Sequence, residues 1–330
     1  MAFPCRTIFT MANLKDYIQD FLEYLEIEKN RSAATIRNYR FYLNRFADWS
    51  EEHSVTNTNR ITPEHIRQYR LWLNRFTDTH GEALKKNTQN YHLIALRTLL
   101  KYLAKRDVAS LAPEKIELMK MPDRSISFLT GEELQRLLAA PGRVPQPKLT
   151  LLRDAAMLTV LFSTGLRVSE LTNLKREQVS TREPTNGSLT ELSVRGKGSK
   201  IRVVFLSPDA RAYVKSYLAE RHDVSPYLFV RHDRAGKIQN DRAKKEGGAP
   251  LTPRSIERLL QKYARVAGIM KQVTPHTLRH SFATDLLING ADVRSVQSLL
   301  GHASITTTQI YTHLTDSELR RVHEAFHNKK

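Results

Sequence analysis

Residues 276–302 read His276-Thr277-Leu278-Arg279-His280-Ser281-Phe282-Ala283-Thr284-Asp285-Leu286-Leu287-Ile288-Asn289-Gly290-Ala291-Asp292-Val293-Arg294-Ser295-Val296-Gln297-Ser298-Leu299-Leu300-Gly301-His302. Leu278, Phe282, Ala283, Leu286 and Leu287 recur at helical spacing and form an apolar face. His276, Arg279 and His280 fall together on one side of that helix, so two imidazoles and one guanidinium converge. A second helical run, Val293, Val296, Leu299 and Leu300, stops at Gly301, which fits a C-cap and presents His302 at a chain turn. The stretch is therefore a helix pair in an α-rich domain, with cationic side chains gathered at one end.

Three further clusters lie outside it. In Thr164-Gly165-Leu166-Arg167-Val168-Ser169-Glu170-Leu171, Gly165 breaks the apolar helix of Ala155 to Phe162 and puts Arg167 at a helix N-terminus. There the guanidinium and the helix dipole both favour an anion such as phosphate, although an Arg167–Glu170 surface pair is the other reading. Around Gly196-Lys197-Gly198-Ser199-Lys200, Leu192 and Val194 on one side and Ile201, Val203 and Phe205 on the other alternate, which predicts a hairpin over Leu192 to Leu206. Lys197 projects from its turn as a mobile proton donor, with Arg195, Lys200 and Arg202 alongside; the plainer reading is a basic hairpin touching phosphates. Nine positions beyond His302 stands Tyr311, which taken alone is as readily a core aromatic.

Composition sets the bounds. The 330 residues suit two domains, and 52 Lys and Arg against 34 Asp and Glu leave a net charge of +18. That surplus favours a polyanionic partner, nucleic acid before an anionic membrane, because the basic residues are spread along the chain rather than gathered in one run. Cys5 is the single cysteine, which excludes an intramolecular disulfide and a cysteine-based zinc site and points to a reducing, cytoplasmic setting. No signal-peptide core or membrane-spanning run is present. His276 and His280 have the spacing of a metal pair, but Arg279 lies between them and no adjacent Glu completes a metalloprotease pattern, so neither metal nor cofactor is expected.

The fold class that follows is mainly α with a small β insertion, in two domains. Apolar residues at helical spacing give four N-terminal helices: Ile18, Phe21, Leu22 and Leu25; Ile36, Tyr39, Leu43 and Phe46; Ile66, Tyr69 and Leu73; Tyr91, Ile94, Leu96, Leu99 and Leu103. Start signals are Ser32 or Thr35, Thr62-Pro63-Glu64, and Asn87-Thr88. The expected boundaries are a disordered extension over 1–10 with Met11 as an alternative start, a helical domain over 11–108, a linker over 109–128 carrying Pro113 and Pro122, and a second domain over 129–330 that opens at Thr130-Gly131-Glu132-Glu133. His232 to Pro250 reads as a charged surface loop.

Taken together, Thr-Gly-Leu-Arg, Gly-Lys-Gly, His-x-Leu-Arg-His, Leu-Gly-His and the following Tyr, in that order, closely resemble the tyrosine recombinase (phage integrase) family, and 276–313 resembles its Xer branch. The resemblance implies a C-shaped clamp, with a SAM-like core-binding domain and a catalytic domain on opposite faces of duplex DNA. It implies that Arg167, Arg279 and His302 hold the scissile phosphate, Lys197 protonates the leaving 5′-oxygen, His276 assists proton transfer and Tyr311 is the nucleophile, with Glu170 and His280 bracing them. It implies DNA contacts by Arg254 and Arg258 on the helix opening at Thr252, with Arg37, Lys85, Lys86 and Asn87 as candidates in the first domain and Arg195, Lys200 and Arg202 on the hairpin. A tail helix over 316–330 would dock on a neighbouring subunit in a homo-tetramer, or a hetero-tetramer with a paralogue, with an accessory or DNA-translocase protein as a further partner. The longer stretches Thr181 to Ser188 and His232 to Gly248 depart from the compact Xer pattern and leave open an integrase of a mobile element. A DNA-binding regulator without chemistry, a type IB topoisomerase and a metal-dependent phosphohydrolase are the rival readings.

Overall fold

A computed structural model describes residues 13–78, 81–121, 127–179, 190–196, 201–232 and 249–301. The chain divides into two compact units, residues 1–123 and 124–330.

The first unit is four helices, α1 (Leu14–Ile27), α2 (Ala33–Glu52), α3 (Pro63–Arg75) and α4 (Lys86–Ala104). Ser32 caps α2 by accepting the Thr35 N–H, and Thr62 caps α3 ahead of Pro63, where a missing N–H costs nothing. α4 begins at Lys86, a little before the expected Asn87-Thr88, and Lys85 at its cap makes no side-chain capping bond. The core holds Phe21, Leu43, Phe46, Trp49, Tyr69, Leu96 and Leu99, with Tyr69 in contact with the rings of Phe46, Trp49 and Trp72. Tyr91 is exposed, while His92 and Leu93 turn inward instead.

Much of the expected linker belongs to this unit. Leu111 and Ile116 are buried in its core, the Thr58 hydroxyl donates to the Ala109 carbonyl at 3.1 Å, and the Met119 N–H donates to Asn90 Oδ1 at 3.2 Å. Pro113 starts a single 3-10 turn rather than marking an open spacer.

The second unit contains α5 (Gly131–Ala139), α6 (Lys148–Thr164), α7 (Val168–Thr172), β1 (Thr190–Arg195), β2 (Ile201–Leu206), α8 (Pro208–Ala219), α9 (Pro253–Val266), α10 (Pro275–Ile288) and α11 (Val293–Leu300). α5 opens on the expected capping box of Thr130 and Glu133. α6 is the central post, buried from Arg153 to Leu161 almost without a break. β1 and β2 pair antiparallel, with Leu192 opposite Val204 and Val194 opposite Arg202.

The buried face of β2 is the reverse of the expected one. Val204 and Leu206 go inside, and Ile201 and Val203 face solvent. Because β2 is apolar at nearly every position, alternation alone cannot fix its phase, and pairing with buried Thr190, Leu192 and Val194 decides it. Arg202 consequently lies on the inner face. No described helix is long and apolar enough to cross a membrane.

Candidate active site

Two left-handed glycines bring the site residues together. Gly165, at φ +59, ends α6 and turns the chain so that Arg167 becomes the N-cap of α7. Gly301, at φ +64, ends α11. α10 starts on Thr274, which accepts the Thr277 N–H, with Pro275 in the first position. That fixes His276 in the first turn and places Arg279 and His280 one turn on, with Arg279 against the ends of α6 and α11.

The carbonyls that end α11 have no partner within their helix. Three guanidinia from three elements supply them. Arg202 Nε donates to Leu299 at 3.0 Å, Arg279 donates to Leu300, and Arg167 donates to Gly301 at 3.1 Å. Hydrogen bonds from charged donors each contribute about 1.5–3 kcal/mol, and the negative helix end adds to the attraction. Arg279, 4% exposed, also donates to the Gly165 carbonyl at 2.6 Å. The two expected phosphate-holding arginines thus converge on one helix end, Arg167 partly in solvent and Arg279 buried with its guanidinium on two backbone carbonyls.

Glu170 ties this cluster together. Its carboxylate accepts from the Arg167 backbone N–H at 2.8 Å and the Arg167 guanidinium at 3.0 Å, and takes a two-pronged pair from Arg202 at 2.7 Å on each oxygen. Burial alone would raise this carboxyl, but the Arg202 and Arg167 hydrogen bonds outweigh it and hold Glu170 below its ordinary value. The Arg167–Glu170 pair of the other reading is present, but with Glu170 buried rather than at the surface, and part of the Arg167 side chain remains in solvent.

His276 is exposed, yet it titrates below the ordinary imidazole value because partial desolvation, Arg279 and Arg167 disfavour its charge, with Glu257 opposing them. His280 is pushed down to about 4, by burial first and then by His276 and Arg279. At neutral pH both rings are therefore mainly uncharged, and burial makes His280 reluctant to take up a proton.

Of the expected DNA contacts, Arg37, Lys85, Lys86, Asn87, Arg195, Arg254 and Arg258 are all exposed. Arg254 sits 3.6 Å from Glu257 in a solvent-exposed pair. Arg202 differs from the expected DNA contact: its side chain is only 11% exposed and is engaged by Glu170 and Leu299, so it faces inward rather than outward. Lys197, Lys200, His302 and Tyr311 lie outside the described residues, as do the tail 316–330, the extension 1–10, the stretch Thr181 to Ser188 and most of the loop after His232.

A buried network nearer the start of α6 is a further feature of this unit. On α6, Arg153 pairs with Asp154 at 2.8 Å, and the Tyr263 hydroxyl of α9 donates to the other Asp154 oxygen, while Arg153 also holds the Val230 carbonyl at 3.1 Å. It locks α9 to the central helix. A charged pair inside an otherwise apolar helix was the available signal.

The chain is similar to known proteins along nearly its whole length. Residues 127–318 match the phage integrase family and residues 18–107 match the phage integrase N-terminal SAM-like domain. The tyrosine recombinase XerC of Thermodesulfovibrio yellowstonii is 32% identical over 318 residues, 96% of this chain and 98% of the relative. The tyrosine recombinase XerD of Chlorobaculum tepidum is 35% identical over 311 residues, 94% and 95% of the two chains. Among solved structures, XerH site-specific recombinase bound to palindromic difH substrate, a post-cleavage complex, shares the fold with a TM-score of 0.70 at 23% identity, covering 98% of both chains. Matched in both units and along nearly all its length, the chain belongs to the phage integrase family of tyrosine recombinases.

Proposed function

We propose that this protein is a site-specific DNA recombinase that cuts and rejoins strands through a 3′-phosphotyrosine intermediate, in an Xer-like resolution of chromosome or plasmid dimers in the cytoplasm. The observation that carries the reading is the convergence of Arg167 and Arg279 on the end of α11, which His302 follows directly in the sequence. A phosphodiester transition state gathers negative charge on its non-bridging oxygens, and donors held in place beforehand stabilise that charge, each by about 10²–10³ in rate. Arg167, Arg279 and His302 take this role.

The Tyr311 oxygen attacks phosphorus, the bond to the 5′-oxygen breaks, and Lys197 delivers a proton to that leaving oxygen. A cationic pocket favours the phenolate of a tyrosine whose ordinary pKa is about 10. Neutral His276 assists proton transfer, and His280 supports it. The phosphotyrosine ester keeps the bond energy, so a second 5′-hydroxyl religates the strand without ATP and releases the tyrosine. Two such exchanges require four active sites, supplied by a homo-tetramer or by a tetramer with a paralogue, coupled through the tail helix at 316–330. The long stretches at 181–188 and 232–248 keep integration of a mobile element as the second reading.

The test is covalent trapping. A duplex carrying a site that the protein selects from a random-sequence pool is nicked near the scissile bond and incubated in EDTA without ATP. Wild type should give a protein–DNA band that survives denaturation, and Tyr311→Phe should bind the site and give none. A bound site with no adduct in wild type would sink the recombinase reading.

A further inference from the structure

We propose that Arg202 is a positioning residue for Arg167, holding that arginine's phosphate-facing geometry through two routes, the shared Glu170 carboxylate and the end of α11. The inference rests on the recombinase reading above and assigns a part of its machinery.

The case begins with phase. Arg202 lies opposite Val194 on the buried face of the hairpin, in line with Val204 and Leu206. A guanidinium there must find partners or cost several kcal/mol, and it finds two. Its fork meets both Glu170 oxygens at 2.7 Å, in the planar geometry that arginine offers and lysine does not. Its Nε holds the Leu299 carbonyl at 3.0 Å.

Glu170 meets Arg167 with the same carboxylate, and Arg167 meets Gly301, two residues after Leu299. The four groups close a loop from Arg202 to Glu170 to Arg167 to the helix end and back to Arg202. Without Arg202, the carboxylate loses its two-pronged partner and is free to rotate about the remaining Arg167 contacts. The helix end loses one of its three donors at the same time. Gly301 belongs to this device as well, since a Cβ there would stand 2.9 Å from Arg202 Cδ. Arg202 touches no substrate in this scheme and acts only through where Arg167 points.

Single-turnover cleavage of the nicked, selected duplex and gel-shift affinity for the same duplex test the idea. The proteins are wild type, Arg202→Met, Arg167→Lys and the Arg202→Met/Arg167→Lys pair. A further variant, Arg202→Met/Glu170→Gln, removes the charge together with its counter-charge, so that a folded protein is available if Arg202→Met alone unfolds. Expected are affinities within about 3-fold of wild type, cleavage slowed by at least about 10-fold in both Arg202 variants, and less than about 3-fold further loss when Arg202→Met is added to Arg167→Lys.

Losses that multiply in full would mean that Arg202 acts apart from Arg167, and would overturn the proposal. Weaker binding with unchanged cleavage of bound DNA would return Arg202 to a DNA contact and overturn it too. Failure of wild type to form any adduct would remove the recombinase reading and this role with it, whereas wild-type cleavage with multiplying losses removes the positioning role alone.

Discussion

Gly165 and Phe282 approach so closely that a Cβ on Gly165 would lie 2.5 Å from Phe282 Cδ1. One turn before Phe282, Arg279 donates to the Gly165 carbonyl at 2.6 Å. The same glycine therefore supplies a left-handed turn, a seat for an aromatic ring and an acceptor for a site arginine. Gly165→Ala is expected to cost at least about 2 kcal/mol in urea unfolding, combining backbone strain with overpacking. Gly268 has a similar φ of +67 with nothing within 4 Å, so Gly268→Ala should cost only the backbone share, about 1 kcal/mol. Equal losses at the two positions would show that the Phe282 contact contributes nothing.

Glu170 makes the second unit sensitive to acid. Its carboxyl titrates below the ordinary glutamate value when folded, and near 4.3 in the unfolded chain. A depressed carboxyl stabilises the fold fully above the unfolded value and loses that contribution as pH falls through the folded one. Glu170→Gln should therefore be less stable than wild type by about 3 kcal/mol at pH 7, since it leaves Arg202 inside without its carboxylate. The gap should narrow as pH drops from 5 toward 3. Urea midpoints for the two proteins across that range check this, and a gap independent of pH would contradict it.

Local signals and long-range ones separate cleanly at this site. Gly165 before Arg167, Thr130 before Glu133 and Gly301 after Leu300 were legible in the sequence because each cap is decided within a few residues. Arg202 was misplaced because its partners lie 32 and 97 residues away, and because Ile201, Val203, Val204, Phe205 and Leu206 allow either phase of the strand. The segment 109–128 read as a linker because Pro113 and Pro122 dominate the pattern, although two well-spaced apolar residues, Leu111 and Ile116, are enough to pin its described part to the first core. Asp154 beside Arg153 in an apolar helix signals a buried pair, but its partner Tyr263 is 109 residues further on, beyond the reach of local pattern.

Two imidazoles, one buried and one half-buried, should titrate far from their usual range. His92 in the first unit and His280 in the second are each pushed down to about 4, chiefly by burial. His92 also meets the Tyr69 hydroxyl through Nδ1 at 3.2 Å. A histidine depressed in the fold binds its proton more readily when unfolded, so stability falls as pH drops from about 6.5 toward 4. Proton NMR of the ring C2–H signals should show both residues still neutral at pH 5.5, and His92→Gln should remove part of the acid sensitivity of the first unit. A His92 signal titrating near 6.5 would mean that the ring is solvated.

The exposed arginines of α9 should set the salt dependence of DNA binding. Ile256, Leu260, Tyr263 and Ala264 form the buried side of this helix, and the Tyr263–Asp154 hydrogen bond fixes it to α6. Arg254 and Arg258, one turn apart, are left in solvent on a rigid support. The Arg254–Glu257 pair at 3.6 Å is too exposed to restrain the guanidinium, because such pairs contribute at most about 1 kcal/mol. Each phosphate neutralised releases counterions and steepens the fall of log affinity with log salt by about 0.9. Arg254→Ala and Arg258→Ala should each flatten that slope by about 1 if they meet phosphates. If either instead leaves the slope intact while altering the preferred base at one position of the selected site, that arginine reads a base edge. An unchanged slope and an unchanged site for both would show that α9 does not touch DNA.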